Sequence, residues 1–221
     1  MAAILVNGTR RASSLRVLLP RVGVWTADLA VDDGETLSGR VTVAVEGALT
    51  LVGSVLRGAV GAEVWTGRLV GGAGGLGRPV AALPHRAVTL SDVLAQALSD
   101  AGETAAADLG DLSAAYAHWI RRASAAAHTV ADVARAAGYA WRVRPDGSVW
   151  VGAEPWTAYA PADVELVAWD DRAGTLTLSG STFGVLPGQT LTVGERTIRV
   201  GAVEHRAGPE TLRTIVVAED A

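Results

Sequence analysis

Short runs of alternating apolar and polar residues, separated by turn residues, constrain this chain more than any other feature of its sequence. The run from Gly23 to Val31 alternates clearly, and Asp32-Asp33-Gly34 follows it as a turn. Period-two alternation predicts strands with one buried and one solvent-facing side. Comparable runs occupy much of the first 80 residues: 14–19, 40–46, 49–57 and 62–70. This part of the chain is therefore predicted to form a small antiparallel β-barrel or sandwich.

The middle of the chain has helical spacing instead. Apolar residues recur every three to four positions after Thr89, and Gly102 follows as a candidate C-terminal cap. The alanine-rich residues 108–127 show the same spacing, which predicts a further helix. A capping-box pattern that begins at Thr129 predicts a helix that ends at Gly138.

Strand signals return after Gly138. Pro145-Asp146-Gly147 separates two strand-like runs and predicts a hairpin, because proline presets φ and glycine accepts a positive φ. Further strand-like runs follow along the chain: 164–169, 175–180, 190–193, 196–203 and 211–218.

The order of these segments predicts a mainly β protein with a small α insert (α+β), in which two antiparallel β-barrel-like lobes are joined by a helical segment. The predicted boundaries are residues 1–80 for the N-terminal β lobe, 81–138 for the helical insert and 139–221 for the C-terminal β lobe with its hairpins. A chain of 221 residues is long enough to bury a core without disulfides or metals.

Residue composition excludes several kinds of chemistry. The chain has no cysteine, and all 19 of its basic residues are arginine. Disulfides, thiolate nucleophiles and cysteine-ligated metals are therefore excluded, as are a Walker A lysine and a Schiff-base lysine. We expect a non-enzymatic protein without catalytic residues, cofactor or metal.

The charges predict no nucleic-acid-binding face. The formal net charge is −4, and the arginines are scattered, with Arg10-Arg11 and Arg121-Arg122 as the densest pairs. A nucleic-acid-binding domain usually shows a clustered basic face, so we expect solvated charges and no sequence-specific nucleic-acid partner. A membrane span needs about 20 mostly apolar residues, and the apolar stretches here are interrupted by polar ones. We therefore expect no stable membrane insertion.

Residues 72–77 match the G-x-G-x-x-G pattern of phosphate-binding loops. That chemistry needs a helix that begins at the last glycines, so that its N-terminal amides face the phosphate. Arg78-Pro79 follows instead, and helical spacing begins only near Leu90. The segment is therefore predicted to be a flexible glycine hinge between the lobes.

The other candidates for chemistry have ordinary structural explanations. Four histidines are spaced too irregularly to predict a metal site: His85, His118, His128 and His205. Ser181 lacks the strand–turn–helix elbow of a serine hydrolase. The carboxylate pairs Asp32-Asp33 and Asp170-Asp171 occur at turns, although a small hydrolase with a carboxylate pair stays open as an alternative.

Seven tryptophans suggest a different role, because tryptophan is common at interfaces and in carbohydrate sites. Trp25, Trp65 and Trp141 lie within strand patterns and are predicted to be core residues. Trp150 and Trp156 bracket a loop-like stretch and are the interface candidates. A carbohydrate-binding or cell-wall-binding module that uses exposed tryptophans therefore stays open as an alternative function.

The pattern of strands, glycines and tryptophans resembles a known family. Its residues are Trp65 to Leu76, a helix ending at Ala101-Gly102-Glu103, Trp119, Gly138, Trp141-Arg142-Val143, Pro145-Asp146-Gly147, Val149 to Gly152, Leu186 to Leu191, Val200, Val203-Glu204-His205 and Leu212-Arg213-Thr214. Over most of its length the chain resembles the baseplate hub proteins of phage tails and related contractile injection systems, the late-control-D-like group.

This resemblance implies a homotrimer whose six barrels form a pseudo-sixfold ring, which connects the hexameric tail tube to the central trimeric spike. It implies a structural virion protein of the phage tail baseplate, assembled in the host cytoplasm. Its partners would be the tail tube protein, the spike protein and other baseplate proteins, and it would need neither catalytic residues nor a cofactor. Rigid barrels with exposed strand edges suit such a ring, and a mildly acidic chain without basic clusters suits a channel that does not grip a passing nucleic acid.

Overall fold

Strand is the dominant secondary structure of the chain, and two short helices lie in its middle. The computed structural model describes residues 3–45, 48–160, 164–180, 182–194, 196–208 and 211–219, and the statements below concern these residues. Glu46, the end of one predicted strand, and Ser181 lie outside them. The predicted mainly β fold with a small α insert is confirmed.

The N-terminal strands close into a six-stranded barrel. They are β1 (Ile4–Val6), β2 (Arg10–Pro20), β3 (Thr26–Val31), β4 (Arg40–Val45), β5 (Leu49–Gly61) and β6 (Val64–Gly71). Around the barrel the order is β1-β4-β5-β6-β3-β2, and β2 pairs again with β1 to complete the ring. Alternation along β2 buries Leu15, Val17 and Leu19 inside the barrel, as the period-two pattern predicts.

Two buried tryptophans fill the barrel, and the strands leave room for them with paired glycines. Each indole lies over a glycine pair in which one residue of β5 opposes one of β6: Trp25 over Gly53 and Gly71, and Trp65 over Gly58 and Gly67. A Cβ at Gly67 would lie 2.4 Å from Cη2 of Trp65, far inside van der Waals contact. Both tryptophans are core residues, as predicted.

The middle segment combines two helices with short strands: β7 (Pro79–Val80), β8 (Leu83–Thr89), α1 (Leu90–Ala101), β9 (Ala115–Arg121), β10 (Ser124–Ala125) and α2 (Ala126–Ala137). Helix α1 begins where predicted. The Thr89 hydroxyl accepts from the Asp92 amide, and the Asp92 carboxylate accepts from the Thr89 amide. Gly102 ends α1 with a φ of 70°. In the part of the chain that is described, no helix is long and apolar enough to cross a membrane.

Two predictions for this segment are wrong. Most of residues 108–127 do not form a helix, because β9 pairs with β8 in an antiparallel two-stranded sheet, and only Ala126 and Ala127 are helical, as the start of α2. Apolar spacing is a weak guide where cross-strand pairing is available to the backbone. Helix α2 ends at Gly138 as predicted, but it begins at Ala126 rather than near Thr129. Its first amides, those of Ala126 and Ala127, donate to carbonyls of the segment before β7, so no capping side chain is needed.

The C-terminal strands are β11 (Ala140–Val143), β12 (Val149–Gly152), β13 (Thr157–Tyr159), β14 (Val164–Asp170), β15 (Thr175–Gly180), β16 (Gln189–Val193), β17 (Arg196–Ala207) and β18 (Leu212–Ala218). β11 and β12 form the predicted hairpin, and Gly147 in its turn has a φ of 83°. β13 pairs in parallel with β16, and β16 pairs with β17.

A direct strand pairing joins the two lobes. β17 pairs with β2 of the barrel, and β18, β15 and β14 follow β17 in the same sheet. The sequence predicts a connection through the helical segment, and the structure adds this continuous sheet. The boundaries predicted after residues 80 and 138 stay predictions.

Candidate functional site

The glycine-rich loop after β6 is buried and hydrogen bonded, so the predicted flexible hinge is wrong. The Glu103 carboxylate, just beyond α1, accepts from the Ala73 amide at 2.8 Å and the Gly75 amide at 2.7 Å. A Cβ at Gly75 would lie 1.7 Å from the Ala101 carbonyl oxygen, so only glycine fits against the end of α1. These loop amides face an internal carboxylate of the chain and attach the barrel to α1.

His205 is fully buried in the C-terminal lobe. Its Nε2 lies 3.1 Å from the Val185 carbonyl oxygen, and because a carbonyl only accepts, Nε2 carries the proton. Nδ1 therefore accepts from the Thr214 hydroxyl at 2.8 Å, which itself accepts from the Thr182 hydroxyl. Burial lowers the pKa of His205 to about 4. Within the described ranges, no group of three or more His, Cys, Asp or Glu side chains is placed to hold a metal ion.

Trp150 is buried, which corrects its prediction as an interface residue. It lies on β12 and is only 4% exposed. Its indole Nε1 donates to the Asp108 carbonyl at 3.1 Å. The guanidinium groups of Arg142 and Arg144 lie 4.4 and 5.3 Å from its ring centroid. The start of the stretch that was predicted to be loop-like therefore belongs to β12, a strand whose residues are buried.

Trp156, the other predicted interface residue, lines an open pocket of about 580 Å³ together with Trp169. Its backbone has a φ of 47°, a conformation that residues other than glycine rarely adopt. The Thr190 hydroxyl donates to the Trp156 carbonyl at 3.1 Å and helps to hold it there. Arg199 lies 5.1 Å from the Trp156 ring, and Arg196 lies 4.6 Å from the Trp169 ring. The strand-like pattern of residues 164–169 contains Trp169, but nothing in it indicates that Trp169 lines a pocket with Trp156.

An eight-stranded antiparallel sheet crosses both lobes in the order β5-β6-β3-β2-β17-β18-β15-β14. Except at the edge strand β14, which is exposed on both sides, one face packs on the cores of the two lobes, and the other carries the exposed and half-exposed side chains of the alternating pattern. This outer face is a continuous surface, eight strands wide, that the fold offers to a partner.

Both ends of this sheet have unpaired edges among the described residues. β4 pairs with β5 only as far as residue 54, so residues 56–61 pair on one side only, with β6. β14 at the other end pairs only with β15. Apolar side chains are exposed at both edges: Leu56 and Val60 on β5, and Leu166 and Val167 on β14. Exposed edges with apolar side chains are the usual sites of strand pairing between chains.

Five arginines form one row across the outer face. The register places six residues directly opposite one another on successive strands: Arg213 (β18), Arg206 (β17), Arg16 (β2), Asp28 (β3), Arg68 (β6) and Arg57 (β5). An open groove of about 690 Å³ lies beside this arginine row. Small residues of the neighbouring row line it: Ser14, Ala30, Thr66 and Ala59.

Two carboxylates pair with part of the arginine row. Arg68 donates to Asp28 at 2.7 Å, and this hydrogen bond holds the pKa of the Asp28 carboxyl below its usual value. Arg16 donates to Glu204 at 2.8 Å, and Arg206 contacts the same carboxylate, so the pKa of Glu204 is also lowered. The expected scatter of solvated arginines is therefore wrong for this face, where strand register gathers them into one basic cluster.

No protein-family model matches the chain, and no curated protein matches its sequence. Solved structures do match its fold. The c3393 protein of Escherichia coli aligns with a TM-score of 0.72 and 9% identity, covering 97% of this chain and 76% of that one. It is described as a component of the type VI secretion system with structural similarity to the T4 bacteriophage tail proteins gp27 and gp5.

Two tail proteins align over nearly their whole length. The 43 kDa tail protein of prophage MuSo2 from Shewanella oneidensis gives a TM-score of 0.68 and 9% identity, with 99% of this chain and 98% of that chain covered. A tail protein from Neisseria meningitidis MC58 gives 0.66 and 14%, with 99% and 97% covered. The chain therefore shares the fold of two tail proteins, one of them from a prophage, and of a component of a type VI secretion system.

Proposed function

We propose that the chain is a structural tail protein of a phage or contractile injection system, which assembles head to tail into a ring. It would serve as the baseplate hub or tail adaptor that connects the tail tube to the central spike. The fold shared with tail proteins supports the class. The observation that carries the ring is the eight-stranded sheet, whose unpaired edges lie at opposite ends of one chain.

Strand direction favours closure. Neighbours in the eight-stranded sheet are all antiparallel, so an even number of strands leaves β5 and β14 running in opposite directions. β14 of one copy can therefore continue the antiparallel order when it meets β5 of the next. Such a head-to-tail interface repeats until a ring closes.

The size of a trimer fits a channel. At ~4.8 Å between strands, the ~24 strands of three copies give a circumference of ~115 Å and a backbone diameter of ~37 Å, and strand tilt widens it further. A lumen of this size remains open after side chains line it. Three copies are the number that the resemblance to hub proteins implies.

Charges at the two edges are complementary. The arginine row ends at Arg57 on the β5 edge. At the other end, Leu178 of β15 opposes Thr214 of β18, so the next position along each strand sets Ser179 level with Arg213. Ser179 opposes Glu165, and the row therefore reaches Glu165 on the β14 edge. A head-to-tail ring then places Arg57 of one copy level with Glu165 of the next, between the exposed apolar residues of both edges.

A charge-swap experiment tests the ring. Arg57→Glu or Glu165→Arg alone should shift the purified chain from three times 22.6 kDa to the monomer mass, because like charges then meet at each junction. The double variant restores opposite charges and should restore the trimer. Arg122→Glu is the control, because Arg122 is exposed and lies on neither edge strand. A wild-type chain that stays monomeric at high concentration would refute the ring, and a double variant without recovery would refute this junction.

Composition of the particle tests the proposed location and partners. Mass spectrometry of purified tails, calibrated with a known amount of the chain, should find three copies of it per tail. Chemical crosslinks should connect it to the tail tube protein and to the spike protein. Particles without the chain would contradict a role as a virion protein.

The pocket of Trp156 and Trp169 favours carbohydrate binding as a second candidate function. Sugars stack on tryptophan faces, and two indoles line the same cavity here. Trp169→Ala should abolish retention on cell-wall glycan, whereas Trp119→Ala, on β9, should not change it. Equal retention of wild type and Trp169→Ala would remove this candidate.

A further inference from the structure

The arginine row is long and accessible. Its six positions lie on six neighbouring strands, which at ~4.8 Å per strand gives a length of ~24 Å. The Arg16 side chain is 58% exposed and that of Arg206 is 48% exposed, although both contact Glu204. Guanidinium groups are therefore presented along a line rather than at one point.

Three neighbouring pairs in this row carry like charges directly opposite one another: Arg206 with Arg213, Arg206 with Arg16, and Arg68 with Arg57. Like charges in directly opposed positions destabilise a sheet. Asp28 and Glu204 offset only part of the repulsion: the charge of Arg57 contributes to lowering the pKa of Asp28, but neither Arg57 nor Arg213 forms an ion pair with a described residue. An arrangement that weakens the fold at an exposed face indicates a use for that face.

We propose that the arginine row binds the phosphate backbone of double-stranded nucleic acid without regard to base sequence. Arginine forks match phosphate oxygens and bind them with two parallel hydrogen bonds. The groove beside the row is lined by small side chains, so a backbone can approach the sheet closely. The proposal stands on the single chain and does not depend on the ring.

The chemistry of the groove favours a duplex over other polyanions. Single strands are held by aromatic side chains on which bases stack, and the residues that line this groove include no aromatic one. Acidic peptides bind tightly through apolar or aromatic anchors that enter pockets, and the floor of Ser14, Ala30, Thr66 and Ala59 offers none. A duplex backbone needs only a line of cations and an unobstructed surface.

Salt-dependent binding of a labelled DNA duplex measures this directly. Fluorescence anisotropy with two unrelated duplexes of about 20 base pairs should give equal affinities and a slope near −3 for log K against log salt, at about 0.9 per neutralised phosphate. The variant Arg206→Gln, Arg213→Gln should reduce the slope by about 1.8 and weaken binding about tenfold at low salt. It leaves Glu204 paired with Arg16 and keeps Arg57 at the proposed junction.

The control removes the same charge elsewhere: Arg86→Gln, Arg122→Gln, both exposed on the helical segment, should bind as the wild type does. The melting temperature of the test variant should be unchanged or higher, because repulsion within the row is removed. Any of three results overturns the proposal: no duplex binding by the wild type at low salt, equal losses in test and control variants, or polyglutamate that displaces the duplex at equal charge concentration. The masses of the same samples report on the ring separately, so either proposal can fail alone.

Discussion

Replacing Gly67 with alanine tests how the barrel accommodates its tryptophans. The new Cβ would lie 2.4 Å from Cη2 and 2.5 Å from Cζ2 of Trp65, and 2.6 Å from the Arg57 carbonyl oxygen. Trp65 is fully buried, and the carbonyl belongs to the neighbouring strand β5. Neither obstacle can move away into solvent, so the strands must separate or the indole must leave its position.

The expected loss is near the top of the range for overpacked cores. Extra methyl groups in packed cores cost about 1–3 kcal/mol, and here one side chain and one backbone carbonyl resist together, so we expect about 3 kcal/mol. For a chain of this size, that corresponds to a fall in Tm of roughly 6–12 °C. Gly61→Ala is the matched control on β5, because a Cβ there meets no atom within 4 Å.

Urea denaturation followed by tryptophan fluorescence measures both variants in the same way. Gly67→Ala should lower the midpoint strongly at an unchanged slope, while Gly61→Ala should stay within about 0.5 kcal/mol of wild type. Gly67→Ala should cost less stability when it is made in a Trp65→Leu variant than in the wild type, because the indole that its Cβ would meet is then absent. A Gly67→Ala variant as stable as the wild type would refute the packing described for the barrel.

Two further predictions concern buried polar groups. The neutral state of His205 stabilises the fold fully above its unfolded pKa of about 6.5, and this stabilisation is lost as the pH falls toward 4. The free energy of unfolding should therefore drop by about 2 kcal/mol between pH 7.5 and pH 5. His205→Asn should flatten that dependence, and a wild type with constant stability over this pH window would contradict the prediction. Glu103→Gln places an amide donor against the Ala73 and Gly75 amides and should cost about 1–3 kcal/mol in urea denaturation, whereas a neutral effect would show that the loop does not depend on this carboxylate.

Features that depend on local sequence could be predicted. Period-two alternation locates β2 to β6, the apolar spacing after Thr89 with Gly102 as its cap locates α1, and the turn at Gly147 locates the β11–β12 hairpin. These signals work because one buried face, one cap or one turn residue decides the local conformation. Residues 108–127 mislead because their apolar spacing suits a helix, while the pairing partner β8 lies earlier in the chain.

The candidate surfaces depend on long-range register and could not be predicted. Arg16 and Glu204 are separated by 188 positions in sequence, and only the pairing of β2 with β17 brings them together. Outward-facing positions of alternating strands already contain Arg16, Arg68 and Arg206, but without the strand order they look scattered. The burial of Trp150 could not be predicted, because the cover over β12 comes from distant residues. The role of Trp156 as an interface residue stays a prediction.

Disulfide crosslinking across the proposed junction tests the ring most directly. The chain has no cysteine, so Arg57→Cys combined with Glu165→Cys introduces the only thiols. Directly opposed residues of paired strands have Cβ atoms about 4.5–5.5 Å apart, close to the separation that a disulfide bridges. Mild oxidation should convert the double variant into a covalent trimer, whereas each single variant, with no second thiol at the junction, should run as a monomer on a denaturing gel. A double variant that yields no covalent trimer, or yields open-ended polymers, would contradict a closed ring joined through β5 and β14.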